Sequence, residues 1–209
     1  MNTPMRRHAG SGLPLRRDDV DTDQIVPAEF CRRITRTGYA DALFARWRQD
    51  EHFPLNDPAY TGATILIAGH NFGTGSSREH AVWALRDWGF RAVLAAGFGG
   101  IFQRNALNNA LLPVTLPPDD LNWLAGRVEQ DPATEIIIDL ELAAVRFGGR
   151  IRTFAIDSRA RELILAGADE IDRTLERADR ISAYETARDP WLPRAGEAAR
   201  STATPNIRN

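Results

Sequence analysis

The sequence predicts an α/β domain built on a mixed β-sheet. Short β-like runs alternate with short helical patterns through the middle of the chain, in the order 64–68, 79–88, 91–96, 101–107 and 113–116. This alternation is typical of strands joined by packing helices. Two later β-like runs, 143–147 and 150–156, flank Gly148 and Gly149, a pair that suits the positive φ angles of a two-residue hairpin. The hairpin adds antiparallel pairing, so the sheet is predicted to be mixed.

The limits of the folded domain follow from composition. Residues 1–11 and 194–209 are small, polar and without apolar periodicity, so we expect two flexible tails around one domain over residues 12–193. Asp157 is a predicted N-cap, and helical spacing follows over 158–166 and 169–183, with Gly167 between them. A further helix is predicted over 43–47.

Composition and charge exclude several classes of function. The formal net charge is −2 over 209 residues, so no basic excess favours a nucleic acid or an anionic membrane as partner. No apolar run approaches the roughly 18 residues of a membrane span, and we expect a cytoplasmic protein. Cys31 is the single cysteine, and the four histidines lack paired ligand spacing. We therefore expect this chain to bring no metal or cofactor of its own.

The clearest candidate site is a glycine-rich segment over residues 69–81, the glycine loop, between a predicted strand and a predicted helix. Its glycines let the backbone approach a ligand, and free amides at a helix start favour an anion. The spacing of Gly73 and Gly75 lacks the third glycine of a dinucleotide fingerprint, because Arg78 occupies that place. Ser76, Ser77 and Arg78 instead offer two hydroxyls and a guanidinium, which suit a carboxylate. An acidic small molecule is the expected ligand.

Some of these residues also have a purely structural interpretation. Ser76 and Glu79 have the spacing of a capping box, which would close the helix without any catalytic purpose. His80 is more typical of a histidine packed in the core, or beside a site, than of a catalytic one.

Four stretches of the chain resemble one known family. The run 71–81 resembles the small-subunit signature of the aconitase family. Stretches over 20–27, 35–39 and 101–113 resemble, in the same order, the isopropylmalate dehydratase small-subunit family, and the resemblance covers residues 12–193. It implies a three-layered β/β/α swivelling domain with C-terminal helices, which closes over a [4Fe–4S] cluster held by a separate large subunit.

The resemblance also implies a reaction. It implies a hydro-lyase of leucine biosynthesis that converts 2-isopropylmalate into 3-isopropylmalate through a bound alkene, active only as a complex with the large subunit. By position, Ser76 matches the base that removes a C–H proton, while Ser77 and Arg78 match residues that hold a substrate carboxylate. A serine acts as a base only where amides and a positive charge stabilise its alkoxide.

Two further groups are candidates for supporting roles. Asp21, Thr22 and Asp23 have two interpretations, a turn that bonds its own backbone or a support for the base. Arg32 and Arg33 lie where the resemblance implies a substrate-recognition loop, and solvated surface arginines are the alternative.

Three positions depart from the commoner pattern of the family. Thr74 stands where many relatives have Cys, Gly100 where Asp is frequent, and Ala110 where Gly is usual. Thr74 joins Glu79 and His80 among the residues expected around the base. These departures bear on the substrate more than on the reaction class. Small subunits of homoaconitate, citraconate or dimethylmalate hydro-lyases therefore remain alternatives, as does a stand-alone anion-binding module.

Overall fold

The computed structural model describes residues 3–189 and 191–192. The strands are β1 (Arg7–Leu15), β2 (Ile65–Ala68), β3 (Ala92–Ala95), β4 (Leu112–Thr115), β5 (Glu135–Asp139), β6 (Ala144–Phe147) and β7 (Arg150–Thr153). The α-helices are α1 (Thr22–Ile25), α2 (His80–Trp88), α3 (Gly100–Asn108), α4 (Pro118–Gln130), α5 (Ser158–Ala166), α6 (Glu170–Leu175) and α7 (Ala178–Ala187). None of these helices is long and apolar enough to cross a bilayer in the part of the chain described.

The strands form a single mixed sheet in the order β4-β3-β2-β1-β5-β6-β7. The second half of β1 pairs in parallel with β2, while its first half pairs antiparallel with β5. The sheet therefore has a parallel side, β4 to β1, and an antiparallel side, β1 to β7. The predicted α/β fold with a mixed sheet is confirmed.

The first half of β1 corrects the prediction of a flexible tail over residues 1–11. Residues 7–11 form a ladder with β5, although they lack apolar alternation. The reason is steric. A Cβ on Gly10 would lie 2.1 Å from Thr64 Oγ1, and one on Gly12 would lie 2.8 Å from a side-chain carbon of Ile67. Small residues are required where this strand is crowded, so its sequence lacks the alternation of apolar and polar residues that usually indicates a strand.

Two hydrophobic clusters lie on the two faces of the sheet. Leu66 belongs to one cluster, which includes buried residues of α2, whereas Ile65 and Ile67 belong to the other, which includes buried residues of α4. Neighbouring residues of a strand point to opposite faces, so β2 contributes to both clusters. The residues of β2 are therefore all buried, as in a strand covered on both sides.

The predicted helices differ from the observed ones in places. The helix expected over 43–47 is wrong, since 3₁₀ turns occupy Ala40–Ala42 and Trp47–Gln49, and Phe44 between them has a φ of 46°. The helix expected over 169–183 is interrupted between α6 and α7. The Asp157 cap and the left-handed Gly167 that ends α5 are confirmed. The Gly148-Gly149 turn is also confirmed, with φ angles of 48° and 78°.

Contacts divide the chain into two compact units, one ending at Glu170 and one beginning at Ile171. The first unit contains the sheet and α1 to α5, and the second contains α7. A single domain over 12–193 that includes the C-terminal helices stays a prediction. The predicted C-terminal tail, 194–209, lies outside the described residues.

Candidate functional site

Three loops lie side by side at the carboxyl ends of β1, β2 and β3. The amide of Gly69 donates to the carbonyl of Arg17 at 3.1 Å, and the amide of Ala96 donates to the carbonyl of Gly69 at 3.1 Å. The amide of Phe72 donates to the carbonyl of Gly97 at 2.9 Å. The parallel pairing thus continues past the strands into the glycine loop. In open α/β sheets this edge is where ligands bind.

Glycine is required in this loop by close packing. Gly73 has a φ of 74°, and a Cβ there would lie 2.2 Å from Phe102 Cγ. Gly99 approaches from the neighbouring loop, where a Cβ would lie 2.5 Å from the carbonyl oxygen of Gly73. Gly75 has a φ of 90°. These contacts fix the path of the backbone that leads into Ser76.

The predicted capping box of Ser76 and Glu79 is wrong. The N-cap of α2 is Glu79 itself, in αR conformation and without a side-chain hydrogen bond to the helix. Its carboxylate instead accepts a hydrogen bond from Asn109 Nδ2 at 2.5 Å, so it cannot reach back to Ser76. Both Ser76 and Ser77 are solvent-exposed, and the hydroxyl of Ser76 is available for another role.

The hydroxyl of Ser76 contacts Thr22. Thr22 Oγ1 lies 3.0 Å from Ser76 Oγ and also donates to the Ser76 carbonyl at 3.2 Å. Thr22 is only 1% exposed, and its amide donates to the carbonyl of Thr74 at 3.0 Å. Thr74 thus supports Thr22 through its backbone carbonyl. A buried hydroxyl on a fixed backbone therefore orients the side chain of Ser76.

Asp21 has the local role that the turn interpretation assigns to it. Its carboxylate accepts from the amide of Gln24 at 2.8 Å, and the Gln24 side chain accepts from the amide of Asp21 at 2.9 Å. The two residues form the capping box of α1. Asp21 thus holds the turn that presents Thr22, without contacting Ser76 itself.

Arg78 is paired with Asp23. Its Nη1 donates to Asp23 Oδ1, and its side chain is 25% exposed. The hydrogen bond with Asp23 raises the pKa of the Arg78 guanidinium, which stays charged. The contact uses one terminal nitrogen, so the other edge of the guanidinium can bind a carboxylate by two hydrogen bonds.

His80 packs among aromatic rings. Its ring centroid lies 5.5 Å from that of Tyr39 and 4.8 Å from that of Trp83. Nδ1 is buried and has no hydrogen-bond partner in the described structure. Burial lowers the pKa of His80, and the charge of Arg78 lowers it further. A neutral, packed ring agrees with the core interpretation of this histidine.

The two arginines of the expected recognition loop have different surroundings. Arg33 forms a bidentate ion pair with Asp41, with distances of 2.7 and 2.6 Å, and its guanidinium lies over the ring of Phe30. Arg32 is exposed and forms no ion pair within the described part of the chain. The charge of Arg33 is therefore paired with that of Asp41, whereas the charge of Arg32 is available to a ligand.

Sequence reasoning missed the role of two residues around the site. Asn109 joins α2 to α3, since it donates to Glu79 and accepts from Trp83 Nε1 at 3.1 Å. Tyr39 is fully buried, and its hydroxyl donates to the carbonyls of Arg33 and Thr35 at 3.1 and 3.0 Å. Both residues lay in stretches that carry the family resemblance, but no local pattern indicated their partners.

The chain does not have the donor set of an iron–sulfur cluster. Such clusters normally take four cysteine thiolates, and Cys31 is the single cysteine. Burial raises the pKa of the Cys31 thiol. No group of three His, Cys, Asp or Glu side chains suited to a metal ion occurs within the described residues.

Comparison with known proteins identifies the family. Residues 3–119 match the model of the aconitase C-terminal domain. The 3-isopropylmalate dehydratase small subunit of Parafrankia sp. is 53% identical over 186 residues, which cover 89% of this chain and 95% of that protein. The chain belongs to the 3-isopropylmalate dehydratase small-subunit family. The family member from Acidothermus cellulolyticus is 52% identical over 190 residues, covering 91% of this chain and 96% of that protein.

A solved structure of the family agrees with the fold. The crystal structure of 3-isopropylmalate dehydratase from Methanocaldococcus jannaschii matches with a TM-score of 0.63 and 29% sequence identity. The match covers 86% of this chain and 99% of that one. The resemblance inferred from the four sequence stretches is therefore confirmed.

Proposed function

We propose that this chain is the small subunit of a 3-isopropylmalate dehydratase, a hydro-lyase that converts 2-isopropylmalate into 3-isopropylmalate in leucine biosynthesis. The observation that carries the proposal is the loop in which Ser76 Oγ lies 3.0 Å from the buried hydroxyl of Thr22, two residues before Arg78. The names of the relatives at 52–53% identity support the choice of substrate.

Ser76 is the proposed base. In the dehydration, its oxygen takes the proton from a C–H group, the C–H electron pair forms the double bond, and the hydroxyl leaves the neighbouring carbon as hydroxide with the C–O electron pair. Rehydration adds the hydroxyl to the carbon that lost the proton and a proton to the carbon that lost the hydroxyl. A serine alkoxide requires strong stabilisation. Thr22 Oγ1 lies within hydrogen-bond distance of both the Ser76 carbonyl and Ser76 Oγ, so its single hydroxyl proton can turn from the carbonyl to Oγ when that oxygen is negative. The charge of Arg78 lies in the same loop, so both groups stabilise the negative oxygen.

Ser77 and Arg78 are the proposed carboxylate ligands. Asp23 binds one terminal nitrogen of the Arg78 guanidinium, which leaves the opposite edge for two parallel hydrogen bonds to a carboxylate. Ser77 is exposed next to it and can add a hydroxyl donor. A substrate held in this way presents its adjacent C–H group to the same short segment that carries Ser76.

A large subunit is the proposed partner. The [4Fe–4S] cluster is assigned to that partner, where it supplies a Lewis acid for the hydroxyl group, because this chain lacks the cysteines to hold it. Arg32 is assigned to the recognition of the remainder of the substrate. Ile34, close to it in sequence, is 100% exposed, which supports a surface that a partner covers. The proposal includes a cytoplasmic location, which fractionation of cells tests.

Reconstitution tests this function. The purified chain is mixed with a cluster-bearing large subunit, and the absorbance of the alkene intermediate is followed with 2-isopropylmalate, against each protein alone. We expect turnover in the mixture only. The same assay with homoaconitate, citraconate and dimethylmalate tests the substrate, and a preference for one of these contradicts the assignment while leaving the reaction class intact.

The role of Arg78 is tested in the same assay. Arg78→Lys keeps the charge but cannot form the two-hydrogen-bond fork, so kcat/KM should fall by about 10-fold or more. Arg127→Lys, at an exposed ion pair on α4, is the matched control and should behave like the unsubstituted chain. Equal kinetics for the two variants would rule out Arg78 as the carboxylate ligand.

A further inference from the structure

A second cleft lies between α3 and α5, inside the first unit. It has a volume of about 610 Å³ and shares no residue with the glycine loop. Its α3 wall includes Gly100, Gln103, Arg104 and Leu107, whose spacing places them on one helix face. Phe102 is buried against the glycine loop instead. The cleft is therefore a separate site on the far side of the helix that supports Gly73.

Much of the cleft surface is apolar. Leu107 and Pro113 line one part, while Ile156, Ala160 and Leu163 line the α5 side. The volume falls within the range of about 300–1,000 Å³ that is usual for small-molecule sites, which are mostly apolar with a few placed polar groups. This surface can bury a branched aliphatic group.

Two opposite charges in the cleft form no direct ion pair among the described residues, although the carboxylate of Asp157 also acts electrostatically on Arg159. Arg159 and Glu170 form an ion pair with each other, so their charges cancel. Arg104 on α3 forms no ion pair within the described chain, and its side chain is exposed. Asp157, at the start of α5, forms no ion pair there either. Its Oδ1 accepts from the amide of Ala160 at 2.9 Å, which leaves its second oxygen for a ligand.

We propose that this cleft binds an α-amino acid with an aliphatic side chain. Arg104 binds the carboxylate, Asp157 binds the ammonium group, and the apolar wall holds the side chain. A simple carboxylic acid would place a second carboxylate in the cleft with that of Asp157, and a simple amine would place its ammonium there with the guanidinium of Arg104. A zwitterion is the class of ligand that satisfies both charges at once.

Titration of the purified full-length chain tests the site. Amide chemical shifts are followed as l-leucine, l-isoleucine or l-valine is added. N-acetyl-leucine, which lacks the ammonium, and 3-methylbutylamine, which lacks the carboxylate, serve as single-charge probes. We expect saturable shifts at Arg104, Leu107 and Leu163 with at least one amino acid, and binding at least about 10-fold weaker for both probes.

Variants separate recognition from folding. Arg104→Gln and Asp157→Asn each remove one charge, and asparagine keeps the helix-capping ability of Asp157. Each should weaken binding at least about 10-fold, whereas Arg146→Gln, at an exposed arginine on β6, should leave it unchanged. The proposal is overturned if no amino acid gives saturable shifts at the cleft. It is equally overturned if the single-charge probes bind as well, or if either charge-removing variant binds like the control.

Discussion

Replacing Ala110 by glycine is expected to stabilise the chain. Ala110 follows the C-cap of α3 and has a φ of 51°. Its amide donates to the carbonyl of Leu107 at 3.2 Å, and the amide of Leu111 donates to the carbonyl of Ala106 at 2.9 Å. These two bonds form a Schellman motif, in which the left-handed position usually holds glycine. Ala110 therefore fulfils the backbone role of a glycine while carrying a Cβ.

The size of the gain follows from two opposing terms. An L-residue in the left-handed region costs about 1–2 kcal/mol, which Ala110→Gly removes. Glycine gains freedom in the unfolded chain, which offsets about 0.4–1 kcal/mol. The net gain is about 0.5–1 kcal/mol, or a rise in Tm of about 1–4 °C for a domain of this size.

Urea unfolding followed by circular dichroism measures this effect. The midpoint should rise for Ala110→Gly with an unchanged slope. Ala106→Gly is the matched control, because Ala106 is fully buried within α3. It should lose about 1–2 kcal/mol from helix propensity and methyl burial. A lower midpoint for Ala110→Gly would refute the reasoning, since the left-handed backbone would then carry no cost.

Three further changes test the site and the packing around it. Thr22→Val keeps the shape of a buried side chain but removes its hydroxyl, so kcat of the reconstituted enzyme should fall about 10-fold or more, and Thr22→Ser should recover most of it. Asp23→Asn weakens the orientation of Arg78, so KM should rise several-fold with kcat nearly unchanged; an unchanged KM contradicts this. The hydrogen bond from Arg152 holds the pKa of the Asp120 carboxyl below its usual 3.8. Its stabilisation is present above that value and lost as pH falls through the lowered pKa. The difference between the unfolding midpoints of wild type and Asp120→Asn should therefore begin to shrink below about pH 4 and vanish only below the lowered pKa.

The parallel side of the sheet could be predicted from local sequence. The strands β2, β3 and β4 and the helices α2 and α3 lie within two residues of their predicted bounds. Each has a short apolar pattern that its own residues determine. The Gly148-Gly149 hairpin was predictable for the same reason, because its turn chemistry is local.

Other elements depend on contacts that are distant in sequence. The first half of β1 lacks an apolar pattern because crowding requires small residues there, and its pairing partner β5 lies more than 120 residues away. The break between α6 and α7 also escaped prediction. Apolar spacing continued through this break, and no glycine or proline marked it.

The candidate site shows the same division. Ser76, Ser77 and Arg78 were indicated by residue type and family resemblance. Their supports were not, because Thr22 and Ser76 are 54 residues apart and Glu79 and Asn109 are 30 apart. The capping box failed for this reason. The local spacing had paired Ser76 with Glu79, but Ser76 contacts Thr22 and Glu79 accepts from Asn109.

The central claim is that the hydroxyl of Ser76 removes the proton, and one kinetic comparison tests it most directly. Reconstituted enzyme with Ser76→Ala is compared with Ser158→Ala, at an exposed serine at the start of α5, using alkene formation from 2-isopropylmalate. The account predicts a fall in kcat of about 10²- to 10⁴-fold for Ser76→Ala, with both variants still assembling with the large subunit, and no change for Ser158→Ala. Comparable kcat values for the two assembled variants would contradict it.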